Sequence, residues 1–404
     1  MTQPLTRSRA TSGPSRTERP TTVTDAAEVL RNTSGSVLFR GGATKLDWAG
    51  RVDPPDLLLD TTALQGVLTH NPADLTASVR AGTPLTALQE NLAEAGQWLA
   101  LDPPTASRGA TVGGLLAAGD SGPARLKYGG LRDLVIGITL VLADGTVARS
   151  GGHVIKNVAG YDLAKLAHGS LGSLALITEV VVRLHPRPAG TVTLSGQADA
   201  ARATAATLAL AAGPLEPAAI EWLSDGTTGR LLVRTDGTLA ALAAAERDLR
   251  TLLAQHGISA EPLSPSDADA AWQAHATAVL GEPDETVLRI AGLPSELAST
   301  ARHALETAQR TGLTVQLVCS AALGMHTVRL AGASAPAHAE ALTTLRSGAL
   351  ARGASVLLRQ RPAALDPLID ALGPPPDTTA LLRRIKAQFD PAHRLGPGRF
   401  APWF

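Results

Sequence analysis

Apolar residues along this chain fall into runs with three different rhythms. As far as residue 187 they are brief, strand-like and interrupted by glycine: Val37–Arg40, Ile136–Leu142, Thr146–Arg149 and Leu174–Leu184, with Asp144-Gly145 marking a hairpin. One helical stripe stands among them, because Leu85, Leu88 and Leu92 share a face between Pro84 and Ala95, and Thr83 is placed to cap it. From about 190 to 362 the rhythm lengthens and repeats. Strand Thr191–Ser195, an alanine-rich helix, strands Ala219–Leu223 and Arg230–Thr235, helix Leu239–Gln255 and strand Ile258–Pro262 are followed by the same order. The second round is Thr286–Ala291, Glu296–Arg310, Leu313–Cys319, Met325–Ala331, a helix over 337–351, and Ala354–Arg359. Two βαββαβ units predict one antiparallel sheet backed by helices. A last helix, Leu381–Gln388, precedes a Gly396-Pro-Gly-Arg399 turn.

The prolines of His185-Pro-Arg-Pro188 mark a boundary between the first two textures. The expected division is a disordered lead-in over 1–20, rich in Ser, Thr, Pro and Arg, then units over 21–188 and 189–375 and a tail over 376–404. The fold class is α+β.

Composition mainly excludes. Acidic and basic residues balance at 36 each, with no basic stripe interleaved with aromatics, so a nucleic-acid partner is not expected. A single cysteine, Cys319, cannot hold an iron–sulfur cluster, and the scattered histidines show no metal-ligating spacing, so no metal is assigned. No run approaches the ~20 apolar residues of a membrane span. The expectation is a cytoplasmic chain that reaches a membrane complex, if at all, through partners.

The candidate chemistry lies in glycine loops. Val37–Arg40 empties into Gly41-Gly-Ala-Thr-Lys45, without the spacing of a nucleotide-hydrolysing phosphate loop or of a nicotinamide-binding turn. What remains is a nest of main-chain N–H groups suited to a diphosphate. Farther on, Thr111-Val-Gly-Gly114 precedes an apolar helix, Leu115–Ala118, whose first N–H groups are expected to face the same anion. Gly119-Asp-Ser-Gly122 and Gly160-Tyr-Asp-Leu163 add two more close turns. Two loops around one dinucleotide is the expectation.

Taken in order, Arg40-Gly-Gly-Ala-Thr-Lys45, Pro103-Pro with Ala110-Thr-Val-Gly-Gly114, Tyr128-Gly-Gly-Leu-Arg-Asp133, Lys156-Asn-Val-Ala-Gly-Tyr-Asp-Leu163 and Gly169-Ser-Leu-Gly172 running into Ile177-Thr-Glu179 resemble the two-subdomain FAD-binding fold of vanillyl-alcohol oxidase type. Within it, the chain is similar to the E-subunit family of bacterial glycolate oxidases, and the tail motifs Ile385–Pro391 and Pro397-Gly-Arg399 fit its closing pattern. The resemblance implies an FAD-binding unit over 21–188, a cap or substrate unit over 189–375, and a tail that returns to the first. It implies FAD held noncovalently, with contacts from Arg40, Gly41, Gly42, Ala43, Thr44, Pro103, Thr111, Val112, Gly113, Gly114, Gly119, Ser121, Gly122, Tyr128 and Ile177. Gly396 stands where family members carry asparagine, which removes a side-chain contact with the flavin.

The implied function is the FAD-binding subunit of a glycolate, or other 2-hydroxy-acid, oxidase or dehydrogenase complex, with a second flavoprotein and an iron–sulfur subunit as partners. Candidates for the carboxylate-binding cation and the base are Arg289, Arg329 and His326 on cap strands, with Arg359 as a further cation. Related catalytic chains carry a late His-Gly-Asp-Gly-Asn-x-His type segment that this sequence lacks, which points to catalysis carried by a sister subunit. Two alternatives remain open: a scaffolding subunit that keeps the fold without turnover, and an independent FAD-dependent oxidoreductase of another substrate class.

Overall fold

A computed structural model describes residues 13–153 and 160–404. The Lys156–Ala159 part of the fourth motif lies outside the described residues. Three strands, β1 (Arg16–Glu18), β2 (Val37–Arg40) and β3 (Leu57–Asp60), make a parallel sheet in the order β1-β3-β2. The lead-in expected to be disordered to residue 20 is therefore structured at 16–18, where main-chain pairing with Leu57–Leu59 fixes it. Next come β4 (Val67–Asn71), β5 (Thr76–Arg80), β6 (Gln97–Trp98), β7 (Val135–Val141), β8 (Val147–Gly151), β9 (Leu176–Arg183) and β10 (His185–Pro186). Five of them form an antiparallel sheet, β4-β5-β9-β7-β8, while β6 and β10 pair as a short ribbon. β7 and β9 are valine- and isoleucine-rich because they are central strands, and helices pack over them.

The helix expected over 84–95 spans Leu85–Ala93 and buries Leu85, Leu88 and Leu92 as its stripe requires. Thr83 does not cap it. Its hydroxyl instead donates to Arg80 O (2.6 Å) and accepts from Gly66 N (2.9 Å), tying two turns together.

The remaining strands are β11 (Gly190–Asp199), β12 (Ala219–Ser224), β13 (Thr228–Gly237), β14 (Ala260–Pro262), β15 (Thr286–Ala291), β16 (Thr314–Ser320), β17 (Met325–Ala331) and β18 (Ser355–Gln360). They form one sheet in the order β14-β11-β13-β12-β16-β17-β15-β18. Each half has the same internal order, read outward from the β12–β16 seam, so the two βαββαβ units face each other across that seam. Helices Ala200–Ala212, Leu239–Gln255, Leu297–Thr311 and Ala335–Ala351 bury their apolar sides on one face. Each fully buried leucine there contributes roughly 1.5–3 kcal/mol.

A fifth helix, Pro265–Leu280, joins the repeats and was not legible in the repeat pattern. It lies on the opposite face. Glu221 alternates with the core residues Ile220 and Trp222, and His275 of this helix meets it there, 2.8 Å away and fully buried. The tail returns to the first sheet: Leu395 bridges to Val37, and Val37 N donates to Arg394 O (2.8 Å). Lys386, on the helix Thr379–Phe389, is buried and donates to Ser173 O (2.7 Å), Leu395 O (3.0 Å) and Asp390 Oδ2 (2.6 Å), fastening that return. Among the described residues no helix is long and apolar enough to cross a membrane.

Candidate functional site

Between the three-stranded and five-stranded sheets lies a cleft. Its walls come from segments distant in sequence: Phe39–Leu46 leaving β2, Ala81 after β5, Thr111 to Ala118, Ala175–Ile177 entering β9, and Arg399 from the tail. Of the residues expected to hold the cofactor, Arg40, Gly41, Gly42, Ala43, Thr44, Thr111, Gly113, Gly114 and Ile177 line it.

The two glycine loops meet here. A Cβ added to Gly42 would overlap the carbonyl oxygen of Gly109, so glycine at 42 is required by contact between the loops, not by a ligand. Ala43 sits in the left-handed region at φ 55°, a conformation that occurs in anion-binding nests. The N–H groups of Gly42, Ala43 and Thr44 make no hydrogen bond among the described residues. These are the donors free to hold a diphosphate.

The second loop differs from expectation. Its helix starts at Val112, three residues earlier than expected, with Thr111 as cap. Its first donors are all engaged: Val112 N to Thr83 O (3.0 Å), Gly113 N to Ala81 O (2.8 Å), Gly114 N to Thr111 Oγ1 (3.2 Å) and Leu115 N to Thr111 O (2.8 Å). This loop supplies a close, small-residue wall and no free main-chain donor from 112 to 115.

Six other expected contacts stand outside the cleft walls. Pro103 opens the short helical turn Pro104–Arg108, and Val112 is core. Gly119 packs against the His168 ring and Gly122 against the Asp102 carbonyl. The Ser121 hydroxyl is buried without a partner among the described residues. Tyr128 reaches the cap sheet instead: its hydroxyl donates to Asp236 Oδ2 (3.2 Å), its ring meets Trp98 and His185 edge-on, and burial together with Asp236 pushes its pKa up to about 12.

Beside the first loop, a charged cluster around Trp48 joins the glycine loops to the eight-stranded sheet. Asp120, fully buried, accepts from Thr105 Oγ1 (2.6 Å) and from Arg359 Nη2 (2.9 Å), and lies 3.4 Å from Lys45 Nζ. The Arg359 guanidinium stacks over the Trp48 ring at 4.1 Å, with Arg289 at 5.8 Å from the same ring. Leu288 and Ile290 belong to the helix-backed core, so Arg289 between them points from the opposite face of the sheet, toward Trp48. Arg289 makes no hydrogen bond or ion pair among the described residues; burial and the neighbouring Arg359 lower its pKa to about 10, which leaves it charged at neutral pH. Burial also lowers the pKa of Lys45, opposed by Asp120. Around Trp48, Lys45, Arg289 and Arg359 thus outnumber the single carboxylate of Asp120, an arrangement that attracts an anion.

The other two candidates are corrected. His326 alternates in phase with the core residues Val328 and Leu330, so it faces the helices, 1% exposed, and burial drops its pKa to about 4. Arg329 lies on the face away from the helices but is already held by Glu285 Oε2 (2.6 Å), Gln316 Oε1 (2.5 Å) and Ala278 O (3.2 Å). The sequence reading does not single out Trp48, Asp120 or Arg399 as site residues. The available signal was slight: a tryptophan three residues past a glycine loop in a chain with 3% aromatic residues, and a lone acid between Gly119 and Gly122.

Comparison with known proteins agrees with this architecture. Residues 14–151 match the family model of an FAD binding domain. The whole fold is similar to that of alkyldihydroxyacetonephosphate synthase, with a TM-score of 0.69 over 94% of this chain and 76% of that one at 15% identity. Residues 14–151 thus form an FAD-binding domain, with FAD as its cofactor, joined to a helix-backed antiparallel sheet. Among individual proteins, the chain is 40% identical over 136 residues to glycolate oxidase subunit GlcE of Escherichia coli, covering 34% of this chain and 39% of that protein. It is 35% identical to glycolate oxidase subunit GlcD of Bacillus subtilis (47% and 41% covered) and 34% identical to a mitochondrial D-lactate dehydrogenase of Arabidopsis thaliana (41% and 30%). The matches span less than half the length of each of these relatives.

Proposed function

We propose that this chain is the FAD-binding subunit of a complex that oxidises a small 2-hydroxy acid, glycolate to glyoxylate, and passes the electrons to a second flavoprotein and an iron–sulfur subunit. On this reading 21–188 and the tail 376–404 hold the cofactor, 189–375 caps it, and the chain is cytoplasmic, reaching the inner membrane only through partners. The cleft suits the cofactor: its walls are mostly apolar, and the N–H groups of Gly42, Ala43 and Thr44 on its lining residues have no acceptor among the described residues, as a diphosphate requires of its donors. Bound FAD would supply the hydride acceptor.

The observation that carries the substrate class is Arg289, a cation with no hydrogen-bonded or ion-pair partner among the described residues, in a cluster already rich in positive charge. A 2-hydroxy acid offers what that site lacks, a carboxylate, which the guanidinium can hold by paired hydrogen bonds. Arg359 and Lys45, fixed by Asp120, add to the attraction. Trp48 shields the cluster from water on one side, which strengthens it.

In the assembled complex, Arg289→Gln should lower kcat/KM for glycolate roughly 100-fold, mainly through KM, as loss of a charge-assisted carboxylate contact does. Arg329→Gln and His326→Gln should alter stability and leave KM for glycolate within about twofold. An unchanged KM in Arg289→Gln would remove the carboxylate assignment. It would favour a second reading, in which this subunit keeps its flavin while a sister subunit turns over substrate, a reading supported by the missing His-Gly-Asp-Gly-Asn-x-His type segment. Native purification that brings down a second flavoprotein and an iron–sulfur chain tests the partners.

A further inference from the structure

We infer that Arg399, in the C-terminal tail, binds the diphosphate of the cofactor, so that docking of the tail completes the FAD site. The inference rests on reading the cleft as an FAD site. Arg399 lines that cleft and is 3% exposed. One nitrogen, Nη1, is engaged by three carbonyls of the segment just past the first glycine loop: Leu46 O (2.7 Å), Trp48 O (2.9 Å) and Gly50 O (2.9 Å). Those partners are neutral and fix where the guanidinium lies. They leave Nε buried with no hydrogen-bond partner among the described residues.

A buried guanidinium N–H without an acceptor is costly, and a charged one more so. The nearby charges that influence Arg399 are Asp47 and Arg361. Asp47 pairs with Arg51 at 3.3 Å, and Arg361 binds Asp366 at 2.6 Å. Burial lowers the Arg399 pKa only to about 10, so the group is a cation at neutral pH. The N–H groups of Gly42, Ala43 and Thr44, with no acceptor among the described residues, belong to residues lining the same cleft. A buried guanidinium with an unpaired N–H and a loop of unpaired main-chain donors in one cleft form a site for a doubly charged oxyanion. The tail is anchored independently by Lys386 and Arg394, which donates to Gly35 O (3.0 Å) and Ala143 O (2.9 Å). Arg399 is therefore delivered to the cleft by a segment that does not depend on it.

The test is titration of the purified, full-length apoprotein with FAD, with ADP and with riboflavin, which lacks both phosphates. Arg399→Gln should weaken FAD and ADP by a similar factor, roughly 10- to 100-fold, as loss of a hydrogen-bonded charge does, and leave riboflavin within about twofold. Arg399→Lys keeps the charge without the fork and should lose less, which decides the matter if the glutamine variant does not fold. Unchanged FAD and ADP affinity, or an equal loss for riboflavin, overturns the inference: the second outcome would mean that Arg399 only braces Leu46–Gly50. A wild-type chain that takes up neither FAD nor ADP overturns the FAD reading itself. Wild-type uptake with an indifferent variant overturns this inference alone.

Discussion

The loop Gly41–Lys45 and the loop Gly109–Gly114 touch across the cleft, yet their main chains are in opposite states. In the first, the donors of Gly42, Ala43 and Thr44 have no acceptor among the described residues, and Ala43 accepts a left-handed conformation. In the second, every donor from Val112 to Leu115 is bonded to protein, and a Cβ on Gly113 would come within 2.7 Å of the Ala81 side chain. Glycine in the first loop lets the chain turn and press against its neighbour; in the second it permits a helix to sit tightly on a strand end. On the proposed reading the first is a recognition element and the second a wall. Glycine density alone does not separate the two cases, because close approach to a ligand and close approach to another loop demand the same missing Cβ.

The sharpest way to break this contrast is Ala43→Pro. Proline fixes φ near −65° and removes the N–H, so both the turn and one donor are lost. FAD affinity should fall roughly 100-fold or more, measured by fluorescence titration, and retained affinity would show that the first loop is not the diphosphate cradle. A smaller effect of opposite character is expected from Thr111→Val. It deletes the cap on the second helix and should cost about 1 kcal/mol of stability in denaturant unfolding, with FAD affinity within about twofold. A tenfold loss of affinity without loss of stability would make the second loop a donor after all. Smallest is Ala43→Gly, where relief of a left-handed residue is offset by a more flexible unfolded chain. Stability should change by less than about 1 kcal/mol and binding should persist.

Much of the architecture was legible in the sequence. The cap repeat could be read because each unit reuses one order of strand and helix, and the sheet closes around a seam of like strands, β12 and β16. The helix Pro265–Leu280 was not, since its alanine-rich sequence has no strong apolar stripe and it falls between the repeats. Side-chain facing was partly available: the alternation of Leu288, Arg289 and Ile290 already separates an outward arginine from the core, and the same parity turns His326 inward with Val328 and Leu330. What the sequence does not show is which cation is neutralised. Arg329 and Arg289 share a face, but only tertiary contact shows that Glu285 and Gln316 hold the first and leave the second without a hydrogen-bond or ion-pair partner among the described residues. Likewise Asp120, Lys45 and Arg359 come together from segments more than 200 residues apart at their extremes, and Arg399 reaches the cleft only because the tail folds back beside β2.

Amide hydrogen exchange on the apoprotein and on the FAD-loaded protein, followed through peptides covering 41–46 and 110–118, tests the central claim most directly. Without cofactor, the amides of 42–44 should exchange rapidly and those of 112–115 slowly; FAD should protect the first set and change the second little. Protection gained at 112–115 with 42–44 left unprotected would contradict the assignment of the first loop as the cradle for the cofactor's diphosphate.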